Sequence, residues 1–124
     1  MLIDDSYNAN PTSLRAALKV LAQSPGKKIL VLGDMGELGE DAVRLHGEAG
    51  AEARHLGVTE LLALGELTPY AVHEFGPGAR HFERLEDLLA ALDQHLDADS
   101  TVLVKGSRFM HMERVVKYLE IGGE

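Results

Sequence analysis

Apolar residues follow two alternating rhythms along this chain. Short runs that are almost wholly aliphatic or β-branched predict strands: Leu2-Ile3 leading into Asp4-Asp5, Lys28–Leu32, Leu61–Leu64 and Thr101–Val104, with Arg80–Phe82 as a further strand at an edge. Between them, apolar residues recur three and four apart. Leu14, Ala17, Leu18, Leu21 and Ala22 predict a helix over Pro11–Gln23, with Asn10 suited to cap it, Pro11 to its first turn and Gly26 to break it. Ala42, Leu45, His46, Ala49, Ala53 and Leu56 mark one face of a second helix over Asp41–Leu56. Gly47 and Gly50 lie inside that helix, each unfavourable by about 1 kcal/mol against Ala, and predict a close approach of the helix to the sheet. A short helix is expected over Thr68–Glu74. The spacing of Leu85, Leu88, Leu89, Leu92 and Leu96 is the clearest in the chain, and Met112, Val115, Val116 and Leu119 predict a closing helix. KILVL is apolar without alternation, as in a strand covered on both faces. The alternation of strand and helix therefore predicts an α/β three-layer sandwich. Its sheet would be mainly parallel, of five to six strands, with helices on both faces and right-handed crossovers.

Composition narrows this picture. The chain has 124 residues, enough for a single core over 1–124, and no stretch reads as a linker or repeat. Its formal charge of −8 opposes nucleic acid and anionic membranes at long range. No apolar run approaches the ~20 residues of a membrane span, and Met1–Asn10 has neither the basic nor the apolar region of a secretory leader. The absence of Cys excludes disulfides and thiolate chemistry and suits a reducing compartment. One such domain is short for an enzyme that must bind several substrates.

Ligands in open α/β sheets bind beyond the carboxyl ends of the strands, so the residues that follow each predicted strand are the candidates. After the first strand come Asp4-Asp5-Ser6-Tyr7-Asn8-Ala9-Asn10-Pro11. A carboxylate at a strand end suits ribose hydroxyls, and a capped helix start suits an anion; equally, Asp4, Asp5 and Asn10 read as turn and cap residues. After the second come Gly33-Asp34-Met35-Gly36-Glu37-Leu38-Gly39, where glycines allow close backbone approach to a ligand; a plain loop reads as well. After the last come Lys105-Gly106-Ser107-Arg108. From Ser100 to Lys117 four basic residues meet one acid, a local +3 in an acidic chain, and Lys105 and Arg108 suit a carboxylate or phosphate. Arg114 and Lys117 read as solvated surface. No G-x-x-x-x-G-K-[ST] sequence occurs, so there is no P-loop. The six His show no ligand spacing, and no metal site is expected. His46, on the apolar face of its helix, reads as a satisfied core histidine, and Met110 and Met112 as packing residues. Ser107 lacks a nucleophile's sequence context.

Taken in order, D-D-S-Y-N-A-N-P, G-D-M-G-E-L-G and V-L-V-K-G-S-R-F-M-H-M-E resemble the C-terminal domain of the Mur ligases over Leu2 to about Leu119. They are closest to the member that adds D-alanyl-D-alanine to UDP-N-acetylmuramoyl-tripeptide. The resemblance implies a Rossmann-like domain of a cytoplasmic, three-domain enzyme of peptidoglycan synthesis, serving the cell wall, cell shape and division. In that enzyme ATP, with Mg²⁺, phosphorylates the tripeptide carboxylate, and the dipeptide amine attacks the acyl phosphate. The UDP-sugar domain and the central ATPase domain, with its P-loop and Mg²⁺ ligands, have no counterpart in these residues. The chain is thus expected to be inactive alone, to hold no cofactor tightly and to supply no catalytic residue. Its partners would be the enzyme's own other domains, the UDP-linked tripeptide and D-alanyl-D-alanine, with no nucleic acid and no membrane insertion. By motif position Asp5 would bind the ATP ribose, with Tyr7, Asn8 and Asn10 on the nucleotide side. Asp34, Glu37, Lys105, Ser107 and Arg108 would shape the dipeptide site, with Lys105 or Arg108 holding its carboxylate.

Two other classes fit part of the pattern. A phosphoacceptor receiver-like signalling domain would use Asp4-Asp5 and Lys105, with Asp34 as acceptor. It would, however, need that Asp after its third strand. A noncatalytic nucleotide- or amino-acid-binding module is the other.

Overall fold

The computed structural model describes residues 1–6 and 9–122. Strands β1 (Leu2–Asp5), β2 (Lys28–Gly33), β3 (Glu60–Leu64), β4 (Ala79–Phe82) and β5 (Thr101–Lys105) alternate with helices α1 (Pro11–Ala22), α2 (Ala42–His55), α3 (Thr68–Phe75), α4 (Leu85–His95) and α5 (Glu113–Gly122). Among the described residues the strands form one five-stranded sheet in the order β1-β5-β2-β3-β4, with every pairing parallel. Side chains of successive strand residues point to opposite faces, and both faces are covered. Leu30, Leu32, Leu61 and Leu103 pack under α1, α2 and α3, whereas Ile29, Val31, Leu62, Val102 and Val104 pack under α4 and α5. This two-sided burial is why β2 and β5 read as unbroken apolar runs. β4 lies at an edge, as expected.

Local chemistry sets the start of α1. Asn10 Oδ1 accepts the Ser13 N–H at 2.9 Å and Ser13 Oγ accepts the Asn10 N–H at 3.2 Å, a reciprocal capping box ahead of Pro11. Loss of such a cap costs about 1 kcal/mol.

The glycines of α2 correct one expectation. A Cβ on Gly50 would collide with the Ala71 carbonyl, and one on Gly47 would lie 3.4 Å from Glu74 Cγ. The helix approaches α3 closely, not the sheet. Parallel strands place α2 and α3 side by side on one face, and the backbone of α3 fills the space where a side chain of α2 would stand.

The strand order has a functional consequence. β2 leaves the sheet toward α2 on one face, and its neighbour β5 leaves toward α5 on the other. Chain segments that diverge in this way open a crevice at the carboxyl ends of the two strands.

Candidate functional site

The loop after β2 and the turn after β5 form that crevice. Gly33 and Gly106 lie side by side over Met112, and a Cβ on Gly33 would sit 2.8 Å from the Met112 sulfur. Met112 is fully buried, and Met110 packs against the same core. The hydroxyl of Ser107 joins three segments: it accepts the Gly36 N–H at 2.6 Å and reaches the Ala9 carbonyl at 3.5 Å, while the Ser107 N–H donates to the Asp34 carbonyl at 3.0 Å. Behind the loop, His46 is buried. Its Nε2 accepts the Met35 N–H at 3.0 Å and its Nδ1 lies 2.7 Å from the Ala42 carbonyl. One nitrogen must accept and the other donate, so the ring is neutral with its proton on Nδ1. The core role expected of His46 holds, and it also pins the loop. Arg114 folds back to donate to the carbonyls of Met110 and His111 at 3.1 and 3.0 Å. Arg114 is exposed, as its reading as solvated surface expects, and from the surface it also braces the turn.

Between loop and turn lies an open cleft of about 660 Å³, walled by Asn10, Glu37, Leu38, Ser107, Arg108 and Phe109. Glu37 and His111 have φ of 62° and 53°, the positive-φ residues other than glycine among those described, and both border this cleft. Backbone strain of this kind concentrates where a structure holds side chains for a task. The Arg108 guanidinium is exposed and has no hydrogen bond or ion pair among the described residues.

The other expected residues go elsewhere. Asp34 is buried, and its carboxylate accepts the backbone N–H groups of Glu66, Leu67 and Thr68 at 2.9–3.1 Å, satisfying the start of α3. Gly65, at φ 134°, leaves room for it. Asp34 thus borders a neighbouring cleft, which also contains Glu66, His81, Arg84, Glu86 and, from its far side, Phe109. There the Glu86 carboxyl is held below its ordinary range, first by its own backbone N–H at the start of α4 and also by Arg84. Lys105 is fully buried, with Nζ 2.9 Å from Asp5 Oδ2 and 3.1 Å from Ser13 Oγ. Its ammonium points into the β1–α1 corner, away from the cleft that Arg108 borders. Asp5 keeps 41% of its side chain exposed. Tyr7 and Asn8 lie outside the described residues.

The receiver-like reading required Asp34 to be open to a phosphoryl donor. Its three backbone bonds and the order β1-β5-β2-β3-β4, which differs from the 2-1-3-4-5 order of such folds, oppose it. Among the described residues no three His, Asp or Glu side chains converge closely enough to hold a metal ion, and no helix is long and apolar enough to cross a membrane. Phe109 was not anticipated. Its signal in the sequence is a large apolar residue in a strand-to-helix turn otherwise built from polar and small residues.

Known proteins resemble this chain over nearly all its length. The model of the Mur ligase, glutamate ligase domain matches residues 1–108. The UDP-N-acetylmuramoyl-tripeptide–D-alanyl-D-alanine ligase of Escherichia coli is 38% identical over 99% of this chain and 27% of that protein; its Bacillus subtilis counterpart is 34% identical over 95% and 27%. A crystal structure of MurF from Acinetobacter baumannii superposes with a TM-score of 0.86 at 38% identity, covering 95% of this chain and 27% of that one. MurF ligase from Thermotoga maritima, in complex with ADP, gives 0.85 at 26% identity, covering 96% and 27%. The chain spans about a quarter of the length of these relatives. It belongs to the Mur ligase family, as a C-terminal, glutamate ligase domain of the MurF kind.

Proposed function

We propose that this domain serves an ATP-dependent ligase that joins D-alanyl-D-alanine to a UDP-linked muramyl tripeptide in cytoplasmic peptidoglycan synthesis, and that it closes over ATP and presents the dipeptide. The observation that carries the reading is the separation of the two motif cations. Lys105 is committed to Asp5, while Arg108 stands free on a cleft that Glu37 also borders. A dipeptide is a zwitterion, so its carboxylate suits Arg108 and its ammonium an acid such as Glu37. Arg108 is therefore the carboxylate ligand. Ser107 and Asp34 act by holding the walls, and Lys105 by holding Asp5.

On the nucleotide side, the residues fit a ribose. The Asp5 carboxylate is fixed through Oδ2 by a buried ammonium yet remains partly exposed at the strand end. When bound, ATP supplies the phosphoryl group that activates the tripeptide carboxylate. The Mg²⁺ that accompanies ATP is assigned, in this reading, to the central domain of such a ligase. What this domain contributes is placement of the amine, a proximity effect, and the exclusion of water that would hydrolyse the activated acid.

In the complete ligase, Arg108→Ala should raise the dipeptide KM about tenfold or more, the scale of a lost hydrogen bond to a charged group, with the ATP KM unchanged. Asp5→Ala should do the converse. Steady-state kinetics in which neither variant moves either constant would refute the assignment.

A further inference from the structure

Phe109 is 60% exposed, and it is the large exposed apolar side chain among the described residues that walls this cleft; Val20, Val43 and Tyr70 lie on helices away from it. Its position is built rather than incidental. A Cβ on Gly36 would lie 2.7 Å from Phe109 Cε1, so the ring rests on a backbone kept bare for it. Ser107, immediately before the turn, bonds the Gly36 N–H, and the left-handed His111 and Arg114 close the turn behind the ring. Water-exposed aromatic surface held in this way is unfavourable unless something apolar covers it. Phe109 follows Arg108 directly and borders the same cleft. The group nearest a carboxylate bound at Arg108 is the side chain on the carbon that bears it.

We infer that Phe109 is a specificity-determining residue, its ring forming the wall that measures the second side chain of the incoming dipeptide. This rests on the reading of the cleft as the dipeptide site and goes beyond it: the ring leaves space for a methyl and resists a longer apolar group, while Gly36 sets how far the ring stands from the pocket.

The test uses the complete ligase with D-alanyl-D-alanine and D-alanyl-D-norvaline. One or two methylenes in an apolar pocket change kcat/KM by about tenfold or more. Phe109→Ala should shift the ratio of kcat/KM for the two dipeptides by about that factor toward norvaline, and Phe109→Leu by less. Gly36→Ala, which pushes the ring into the pocket, should shift it the other way. A merely structural residue would lower both values together and leave the ratio alone. An unmoved ratio overturns the inference, as does an equal loss for both dipeptides with a raised ATP KM, which would mark Phe109 as a contact of another domain. Arg108→Ala measured alongside separates the two claims. If it raises the dipeptide KM while the Phe109 ratio stays fixed, the inference alone falls; if it too has no effect, the reading of the cleft falls with it.

Discussion

A buried polar atom is decided by whether it finds a partner, and two residues here show how little of that is visible along the chain. His46 reads as a core histidine because it shares a helical face with Leu45 and Ala49, a periodic signal. That its Nε2 holds the Met35 N–H is a tertiary fact. His46→Leu keeps the volume roughly and orphans that N–H, which should cost about 1–3 kcal/mol of stability in urea or thermal unfolding. His46→Gln, which restores an acceptor, should cost less. A Leu variant as stable as the parent would show that Met35 finds another partner. Lys105 and Arg108 are the second case. Three positions apart in one motif and alike in charge, they are indistinguishable as anion ligands in the sequence, yet one is fully buried and the other exposed. The difference arises because Lys105 is the last residue of a central strand, beneath α1, and Arg108 has already left the sheet.

At the scale of elements, the helices and strands follow closely from hydrophobic period, and the start of α1 from its own cap, which are properties of neighbouring residues. The misreading of Gly47 and Gly50 concerned what α2 packs against, which no local pattern contains. The two glycines now carry opposite predictions. Gly50→Ala should destabilise by about 1–3 kcal/mol, the cost of forcing atoms into a filled contact, because its Cβ meets the Ala71 carbonyl. Gly47→Ala meets only the flexible Glu74 side chain and should be neutral or stabilising by up to about 1 kcal/mol. Chemical denaturation of the two variants reads both, and equal effects would contradict the contact. The turn at Arg108–Met110 offers the same lesson in reverse. Arg114 is exposed, as its spacing on α5 indicates, yet its guanidinium reaches back to the carbonyls of Met110 and His111, a contact that the period of α5 does not contain.

For the whole molecule, an acidic chain with no P-loop gathers its polar clusters at one end of a parallel sheet, and in the proposed function phosphate handling falls to other domains. A protein of these 124 residues alone should therefore bind ADP weakly in calorimetric titration and show no ATP turnover or peptide-bond formation; measurable turnover would contradict the division of labour proposed above. The sequence by itself determined the α/β layers, the parallel sheet, and the three polar clusters gathered on one rim, because each rests on a period or a motif read within a few residues. The tertiary structure alone decided the order β1-β5-β2-β3-β4, the turning of Lys105 toward Asp5, the use of Asp34 to cap α3 and the seat of Phe109 on Gly36. These depend on pairings between residues as much as 100 positions apart, where packing and the satisfaction of buried polar groups, rather than local propensity, select the partner.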